Sequence, residues 1–356
     1  MVVGPGSRNA TGVSVWSNRL ARSIQFTLLL TLLFTIEVAA MSLGEHSKAH
    51  SIERAKPITL KGLLPLAKKT VRDDRLFHQS KARPISLKRV VGSVFPNLSR
   101  PIFVVGAARS GTTFLGGCLA EIPEISYHFE PVATKAAARY VYDELWSHAK
   151  AKWFYRSVYA WLMRIHGNGD LRFAEKTPRN CCIIPFLNKA FPDAQFIHII
   201  RDGRDAALSF SKKPWLSAKS ANSGKYEPGG YPIGPYARFW VKPERRAEYE
   251  STSDLHRCIW AWKGLTQPAI EATEDFSPSK LLEIRYESLG ANLEKEAKRV
   301  LDFLEIRDAK SRQAFERKLL TFKPSLIGQW KEELSEQQLA VVYKEAGELL
   351  RRLNYV

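Results

Sequence analysis

IFVVGAARSGTTFLGGCL, residues 102–119, is the stretch of sequence that decides the fold. Its first four residues are apolar and mostly β-branched, which predicts a short buried strand. A loop bounded by Gly106 and Gly111 follows, and after it apolar residues recur at helical spacing. A strand, a tight loop and a helix in this order direct backbone N–H groups and a helix N-terminus at one place. The stretch therefore predicts an anion-binding turn.

The spacing of these two glycines matches the phosphate loop of nucleoside triphosphatases, G-x-x-x-x-G-K-[ST], up to the position that requires lysine. Thr112 occupies that position. Triphosphatases use the lysine on the β- and γ-phosphates and a neighbouring hydroxyl on Mg²⁺. The replacement of the lysine, together with Arg109 inside the loop, favours a different phosphate ligand. A kinase-like triphosphatase is the alternative.

A second motif follows another predicted strand. Residues 196–200 (FIHII) are apolar, and residues 201–209 read RDGRDAALS. Arg201 stands at the end of the strand, and Ser209 comes eight residues later on the predicted helix. An arginine binds a phosphate through two parallel hydrogen bonds, and a serine on the early turns of the helix faces the same point.

Taken together, these motifs resemble those of sulfotransferases that use 3′-phosphoadenylyl sulfate (PAPS). Residues 109–113 (RSGTT) resemble the family's 5′-phosphosulfate-binding loop, and residues 201–209 resemble its 3′-phosphate-binding segment. Weaker matches follow in the expected order and cover residues 100–356: residues 175–180 (EKTPRN), residues 284–289 (IRYESL) and residues 323–330 around Gly328. The resemblance implies an α/β fold, a short parallel sheet flanked by helices, related to P-loop nucleotide kinases.

The resemblance also implies an activity, namely transfer of a sulfuryl group from PAPS to an acceptor hydroxyl, with release of adenosine 3′,5′-bisphosphate. In-line transfer needs cations on the leaving phosphate and a base for the hydroxyl, but no metal. Lys176 is the candidate that neutralises the bridging oxygen, assisted by Arg109. The residues expected to bind the cofactor are Arg109, Ser110, Gly111, Thr112, Thr113, Arg201, Ser209, Tyr286, Lys323 and Gly328.

Glu130 is the candidate base. It lies 21 residues after Arg109, where protein-tyrosine and several carbohydrate sulfotransferases of the resembling family carry an acidic residue. A carboxylate needs burial to raise its pKa for this task. His128 is the alternative, because an unperturbed imidazole titrates closer to neutral pH.

The acceptor is expected to be a carbohydrate or another alcohol, and the candidates are a polysaccharide, a glycolipid, a small alcohol and a protein tyrosine. Residues 222–236 are rich in glycine, proline and tyrosine, which is typical either of a substrate lid or of an inert surface loop. The aromatic side chains between Trp153 and Trp161 either stack on sugar rings or pack in the core. Two C-terminal helices are predicted from apolar stripes, the second opened by a capping box of Ser335 and Gln338.

The charge pattern divides the chain into three parts, residues 1–41, 42–99 and 100–356. The formal net charge is +18, and residues 42–100 alone hold 13 basic and 4 acidic side chains. This excess predicts a basic linker and leaves a non-catalytic polyanion-binding protein as a further alternative. Nucleic acid is not an expected partner. Within the linker, Leu60, Leu63, Leu64 and Ala67 predict a short amphipathic helix.

The N-terminal part contains the apolar run Phe26–Met41, preceded by Arg19 and Arg22. This run is interpreted as a single-pass signal-anchor, a cleaved signal peptide or an extension ahead of a start at Met41. Membrane association through this run is favoured over a cytoplasmic location. The four cysteines are too few for a disulfide framework and are expected in the core.

Overall fold

A parallel β-sheet with helices on both faces forms the body of the protein. The computed structural model describes residues 54–74 and 86–356. The strands are β1 (Ile102–Val105), β2 (Ile125–Phe129), β3 (Arg172–Lys176), β4 (Gln195–Ile200) and β5 (Leu281–Arg285).

The helices follow the same chain order. They are α1 (Leu60–Asp74), α2 (Leu87–Val94), α3 (Thr112–Leu119), α4 (Val132–Tyr142), α5 (His148–Ile165), α6 (Ile184–Ala190), α7 (Gly203–Ser211), α8 (Arg246–Ser251), α9 (Asp254–Thr273), α10 (Tyr286–Ala291), α11 (Leu293–Phe303), α12 (Ala309–Leu319), α13 (Trp330–Glu333) and α14 (Glu336–Arg352). Short 3₁₀ turns cover Pro178–Cys182, Pro214–Leu216, Ala218–Ser220, Pro243–Arg245 and Pro324–Leu326.

The strand order is β2-β3-β1-β4-β5, and every neighbouring pair is parallel. Strand β1 is central, and it pairs with β3 on one side and with β4 on the other. All residues of β1 and β4 are buried, as expected for strands covered on both faces. The predicted α/β class with a short parallel sheet flanked by helices is confirmed.

Two apolar clusters cover the two faces of the sheet. Along β1, Phe103 and Val105 point into one cluster, whereas Ile102 and Val104 point into the other, as the two-residue period of a strand requires. Helices α4, α5, α6, α7, α9 and α14 supply the first cluster, and α3, α10, α11 and α12 supply the second.

Several local predictions are confirmed by these elements. The amphipathic helix predicted from Leu60 is α1, and the two C-terminal stripes correspond to α11 and α14. Ser335 and Gln338 form the capping box at the start of α14. All four cysteines are free thiols; three are buried and Cys182 is half-buried.

The predicted association with a membrane through a single span is wrong. In residues 54–74 and 86–356, every helix is too short or too polar to cross a bilayer. The run Phe26–Met41 that prompted this prediction lies outside the described residues. The chain divides into two units, residues 1–47 and residues 48–356, and every described residue belongs to the second.

Candidate functional site

The predicted motifs meet along one edge of the sheet. Because all five strands are parallel, their carboxyl ends lie on the same side, and ligands of such sheets bind there. In the order of the strands, the residues at this edge are Glu130 after β2, Lys176 at the end of β3, the loop of residues 106–111 after β1, Arg201 after β4 and Tyr286 after β5. The loop thus lies between the Lys176 side and the Arg201 side.

Two glycines give the loop its path. Gly106 has φ +152°, and a Cβ there would lie 2.4 Å from the carbonyl oxygen of Ile199. Gly111 has φ +93° and lies under the ring of Tyr286, which a Cβ would approach to 2.5 Å. Arg109 also has a positive φ, +70°. Glycine is therefore required at both ends of the loop by space and by backbone conformation.

The loop presents donors to a common point. The first N–H groups of α3, beginning at Thr112, have no acceptor within the helix and carry the positive end of its dipole. The Ser110 hydroxyl is buried and has no hydrogen-bond partner in the described part of the chain. A buried hydroxyl without a partner is costly unless a ligand completes its bonding. These features fit an anionic group in the loop.

Arg109, Arg201 and Ser209 converge beside the loop. The Nε atom of Arg109 donates to the Ser209 hydroxyl at 3.1 Å, and an Nη atom of Arg201 donates to the Arg109 carbonyl at 3.0 Å. Burial, and then the charge of Arg201, lower the pKa of Arg109. Two guanidinium groups that disfavour each other's charge form a cluster that an anion stabilises.

Arg201 is enclosed by three further elements. Its guanidinium lies 4.4 Å from the ring centre of Tyr286 and donates to the Leu326 carbonyl, and its Nε atom has no partner among the described residues. Asp205 lies 3.8 Å away, but this carboxylate already accepts hydrogen bonds from the N–H groups of Gly328 and Trp330. Residues 323–330, called here the late loop, are therefore fixed over Arg201, while the Lys323 side chain is exposed.

The second half of the site contains a carboxylate held by two lysines. Glu130 accepts from Lys176 on one oxygen and from Lys135 on the other, the latter at 2.5 Å. The Glu130 backbone has φ +42°, and its N–H donates to the Lys176 carbonyl at 2.9 Å. The strained backbone turns the carboxylate toward β3.

The pKa of Glu130 differs from the raised value that was expected for a buried carboxylate acting as a base. Burial raises the pKa of Glu130, but the combined effect of Lys135 and Lys176 is opposite and larger, so the pKa lies below its ordinary value. For Lys176, burial outweighs the effect of Glu130, and its pKa is lowered. Glu130 is thus ionised, and each of its oxygens is engaged with an ammonium group.

His128 lies in the core rather than at the strand edge. Its ring stacks on Phe173 at 5.0 Å, and its Nε2 atom lies 3.0 Å from the Ser126 hydroxyl. The side chain is completely buried.

Most aromatic side chains of α5 are also in the core. Tyr155 and Tyr159 are fully buried, and only Trp153 is substantially exposed. These buried rings are part of the core and do not form a sugar-binding surface.

Sequence reasoning missed Lys135 and the pair formed by Arg179 and Glu227. Lys135 lies one helical turn into α4, and only the sharp backbone turn at Glu130 brings its ammonium group back to that carboxylate. Arg179 donates to Glu227, which belongs to the loop of residues 222–236. A basic residue a few positions after Glu130 is a weak sequence signal for the first contact. The pair of Arg179 and Glu227 leaves no signal in the sequence.

No group of three or more histidine, cysteine, aspartate or glutamate side chains suited to a metal ion occurs in the part of the chain that the structure describes.

The comparison with protein families assigns the chain to one family. A model described as "Sulfotransferase family" matches residues 101–310, which is more than half of the chain and includes every strand of the sheet. The chain belongs to the sulfotransferase family.

Individual relatives of this sulfotransferase are distant. Protein-tyrosine sulfotransferase A of Caenorhabditis elegans is 23% identical over 222 residues, covering 58% of this chain and 50% of the relative. The chain thus spans about half the length of the curated relative that it matches.

Solved structures show the same fold. Sulfotransferase STF9 from Mycobacterium avium superimposes with a TM-score of 0.50 at 13% identity, covering 90% of this chain and 95% of that one. The mouse sulfotransferase SULT7A1, solved in complex with PAP, is 17% identical and covers 74% of this chain and 88% of its own, with a TM-score of 0.42.

Replacing Gly111 by Ala is expected to destabilise this sulfotransferase by about 1–3 kcal/mol, because φ is positive and the added Cβ meets Tyr286. Chemical unfolding measures the change. Gly117→Ala in the adjoining helix α3 is the control, since its Cβ would meet only the Cε atom of Lys318 at 4.0 Å. Equal stability of the two variants would contradict the strain assigned to Gly111.

Proposed function

We propose that this sulfotransferase transfers the sulfuryl group of PAPS to an acceptor hydroxyl and releases adenosine 3′,5′-bisphosphate. One observation carries the proposal: Arg109 of the loop contacts Ser209 and, through its carbonyl, Arg201. Two separate phosphate-binding motifs thereby become a single cationic site. A ligand with a phosphate at each end of a ribose satisfies both motifs at once.

The donor would be held by residues on both sides of the loop. Ser110, Gly111, Thr112 and Thr113 would donate hydroxyl and backbone hydrogen bonds to the 5′-phosphosulfate, and Arg109 would balance its charge. Arg201 and Ser209 would bind the 3′-phosphate, with Tyr286 and the late loop around Gly328 enclosing it. Lys323, whose side chain is exposed, would reach the same phosphate only from the outer side. PAPS supplies the activated sulfuryl group.

Glu130 and Lys176 would share the proton and charge transfer. Lys176 is buried and bonded to Glu130, and its movement toward the leaving phosphate would place a positive charge on the oxygen that loses the sulfuryl group. The same movement would free one oxygen of Glu130, which would accept the proton of the acceptor hydroxyl. The complete burial of His128 against Phe173 supports Glu130 over His128 as the base.

The acceptor is a hydroxyl compound in this proposal, a carbohydrate or another alcohol. The name of the Caenorhabditis elegans relative supports a protein tyrosine, which is one of the candidates left open by the sequence. All of these present an O–H group whose proton Glu130 would accept.

Calorimetric titration of the full chain with adenosine 3′,5′-bisphosphate tests the donor site, with ATP and Mg²⁺ as the parallel ligand. We expect the bisphosphate to bind and ATP to bind much more weakly, because Thr112 replaces the lysine that a triphosphate needs. Binding of ATP alone would overturn the proposal and return the loop to the triphosphatases.

A further inference from the structure

The loop of residues 222–236 is folded onto the second half of the site through a tight turn. Tyr226 and Pro232 form an antiparallel bridge, and the N–H of Glu227 donates to the Tyr231 carbonyl at 2.9 Å. Gly224 and Gly234, both with positive φ, stand on either side of this turn. The residues from 222 to 226 are exposed, whereas Glu227 and Tyr231 point inward.

The carboxylate of Glu227 is held by two buried arginines. Arg179 donates to Glu227, and the Nε atom of Arg238 lies 3.4 Å from the same carboxylate oxygen. The two guanidinium groups are almost completely buried, and Glu227 is 13% exposed. Burial raises the pKa of Glu227, but Arg179 and then Arg238 lower it overall, so the carboxylate is ionised.

Positive charge exceeds negative charge around this pair. The ring of Tyr231 is surrounded by Arg139, Arg179 and Arg238, with guanidinium carbons 5.0–5.6 Å from its centre. Arg139 is completely buried, and within the described part of the chain it donates to carbonyl and hydroxyl oxygens rather than to a carboxylate. Two of these arginines contact the carboxylate of Glu227, and Arg139 adds a third positive charge beside the same ring. Such a cluster favours a further anion or a replacement for this one.

The cluster adjoins the proposed base. Arg179 follows Lys176 by three residues and donates to the Lys135 carbonyl at 3.1 Å, while the Lys135 ammonium group contacts Glu130. The charges of Lys135 and Glu130 in turn act on Glu227. An acceptor whose hydroxyl reaches Glu130 consequently lies next to the turn that carries Glu227.

We propose that Arg179 and Arg238 form a binding site for a carboxylate or sulfate group of the acceptor, and that Glu227 occupies this site until such a group displaces it. The loop of residues 222–236 then moves away about Gly224 and Gly234 and admits the acceptor. Apart from the buried ring of Tyr231, its attachments include ion pairs and backbone hydrogen bonds, such as that from the Lys56 N–H to the Gly230 carbonyl at 2.8 Å.

This inference rests on the proposed function, since it specifies the acceptor of the same reaction. Cleavage by trypsin after the exposed Lys225 reports release of the loop. The full chain is saturated with adenosine 3′,5′-bisphosphate and digested in sodium chloride, sodium succinate or sodium sulfate at equal ionic strength, and the fragments are weighed by mass spectrometry. Succinate and sulfate separate the carboxylate and sulfate forms of the ligand.

Glu227→Gln is expected to speed cleavage by about tenfold in chloride, because the loop loses its ion pairs with the two arginines. In the parent protein, succinate or sulfate is expected to accelerate cleavage over chloride, and the variant gains little from either. Sulfate generally stabilises folded proteins by favouring burial of their surface, so its nonspecific effect would slow cleavage rather than accelerate it. Glu244→Gln, an exposed carboxylate after the loop, is the matched control and should behave like the parent.

Parental cleavage rates for Glu227→Gln, or equal rates for the parent protein in all three salts, would overturn the proposal. Thermal unfolding of the variant identifies a general loss of structure, and Glu227→Asp, which keeps the charge on a shorter side chain, should restore part of the protection. Binding of the bisphosphate is measured on the same samples. If that binding fails, the sulfotransferase assignment of the donor site fails, independently of the result on the loop.

Discussion

Glu130→Gln is expected to lower turnover by about 10²–10⁴-fold, the usual contribution of a positioned base. The amide cannot take the proton of the acceptor hydroxyl. The residues proposed to bind PAPS, in the loop and at Arg201, are left intact. The measurement is release of adenosine 3′,5′-bisphosphate from PAPS, with an acceptor found by screening hydroxyl compounds against labelled PAPS. Glu244→Gln, remote in sequence and exposed, serves as the control and should retain parental turnover.

The expected defect lies in the chemical step. Removing one carboxylate from a buried cluster with two lysines leaves uncompensated charge, so thermal unfolding of the variant must be measured beside its activity. Affinity for the bisphosphate should stay within about threefold of the parent, a difference below 1 kcal/mol. Near-parental turnover with normal donor binding would show that another residue is the base.

The charges around Glu130 predict the direction in which the pH dependence of kcat/KM shifts when one of them is removed. Lys135 and Lys176 hold the pKa of Glu130 below its ordinary value, so the proton-accepting form persists as the pH falls. Lys135→Met removes one of these cations and leaves the burial, which raises the pKa. The acidic limb of kcat/KM against pH is therefore expected to move to higher pH in this variant. An unchanged limb would show that Lys135 does not act on the base.

The meeting of the loop, Lys176 and Arg201 at one edge could be predicted from the sequence because their motifs follow parallel strands directly. Arg109, Lys176 and Arg201 each lie at or just after the end of a strand, and the parallel sheet brings such ends to one edge. Only the strand order, with β1 between β3 and β4, had to come from the structure. A match of motifs in the right order thus already implied that these residues meet.

The contacts around Glu130 and Arg179 could not be predicted in this way. Lys135 reaches Glu130 through a positive φ at Glu130, which a sequence does not display. Glu227 meets Arg179 across 48 residues, through a loop that its composition marked only as irregular. The aromatic residues of α5 posed a different problem, because an amphipathic helix shows which face is apolar but does not show whether that face meets the core or a ligand.

Arg201→Ala is expected to weaken binding of adenosine 3′,5′-bisphosphate by about 10²–10⁴-fold, the range of two hydrogen bonds to a charged group. Its guanidinium is held by the Arg109 carbonyl, the Leu326 carbonyl and the ring of Tyr286, so it is already oriented before a ligand arrives. Little side-chain entropy is then lost on binding. Calorimetric titration of the full-length variant measures the change.

Adenosine 5′-monophosphate separates two explanations of such a loss. Arg201 also supports the loop through the Arg109 carbonyl, and a collapsed loop would weaken every ligand that carries a 5′-phosphate. If Arg201 binds the 3′-phosphate, its removal weakens the bisphosphate strongly and the monophosphate little, and Ser209→Ala shows the same pattern with a smaller loss. Equal weakening of both ligands would assign Arg201 to support of the loop and leave the 3′-phosphate without its main partner.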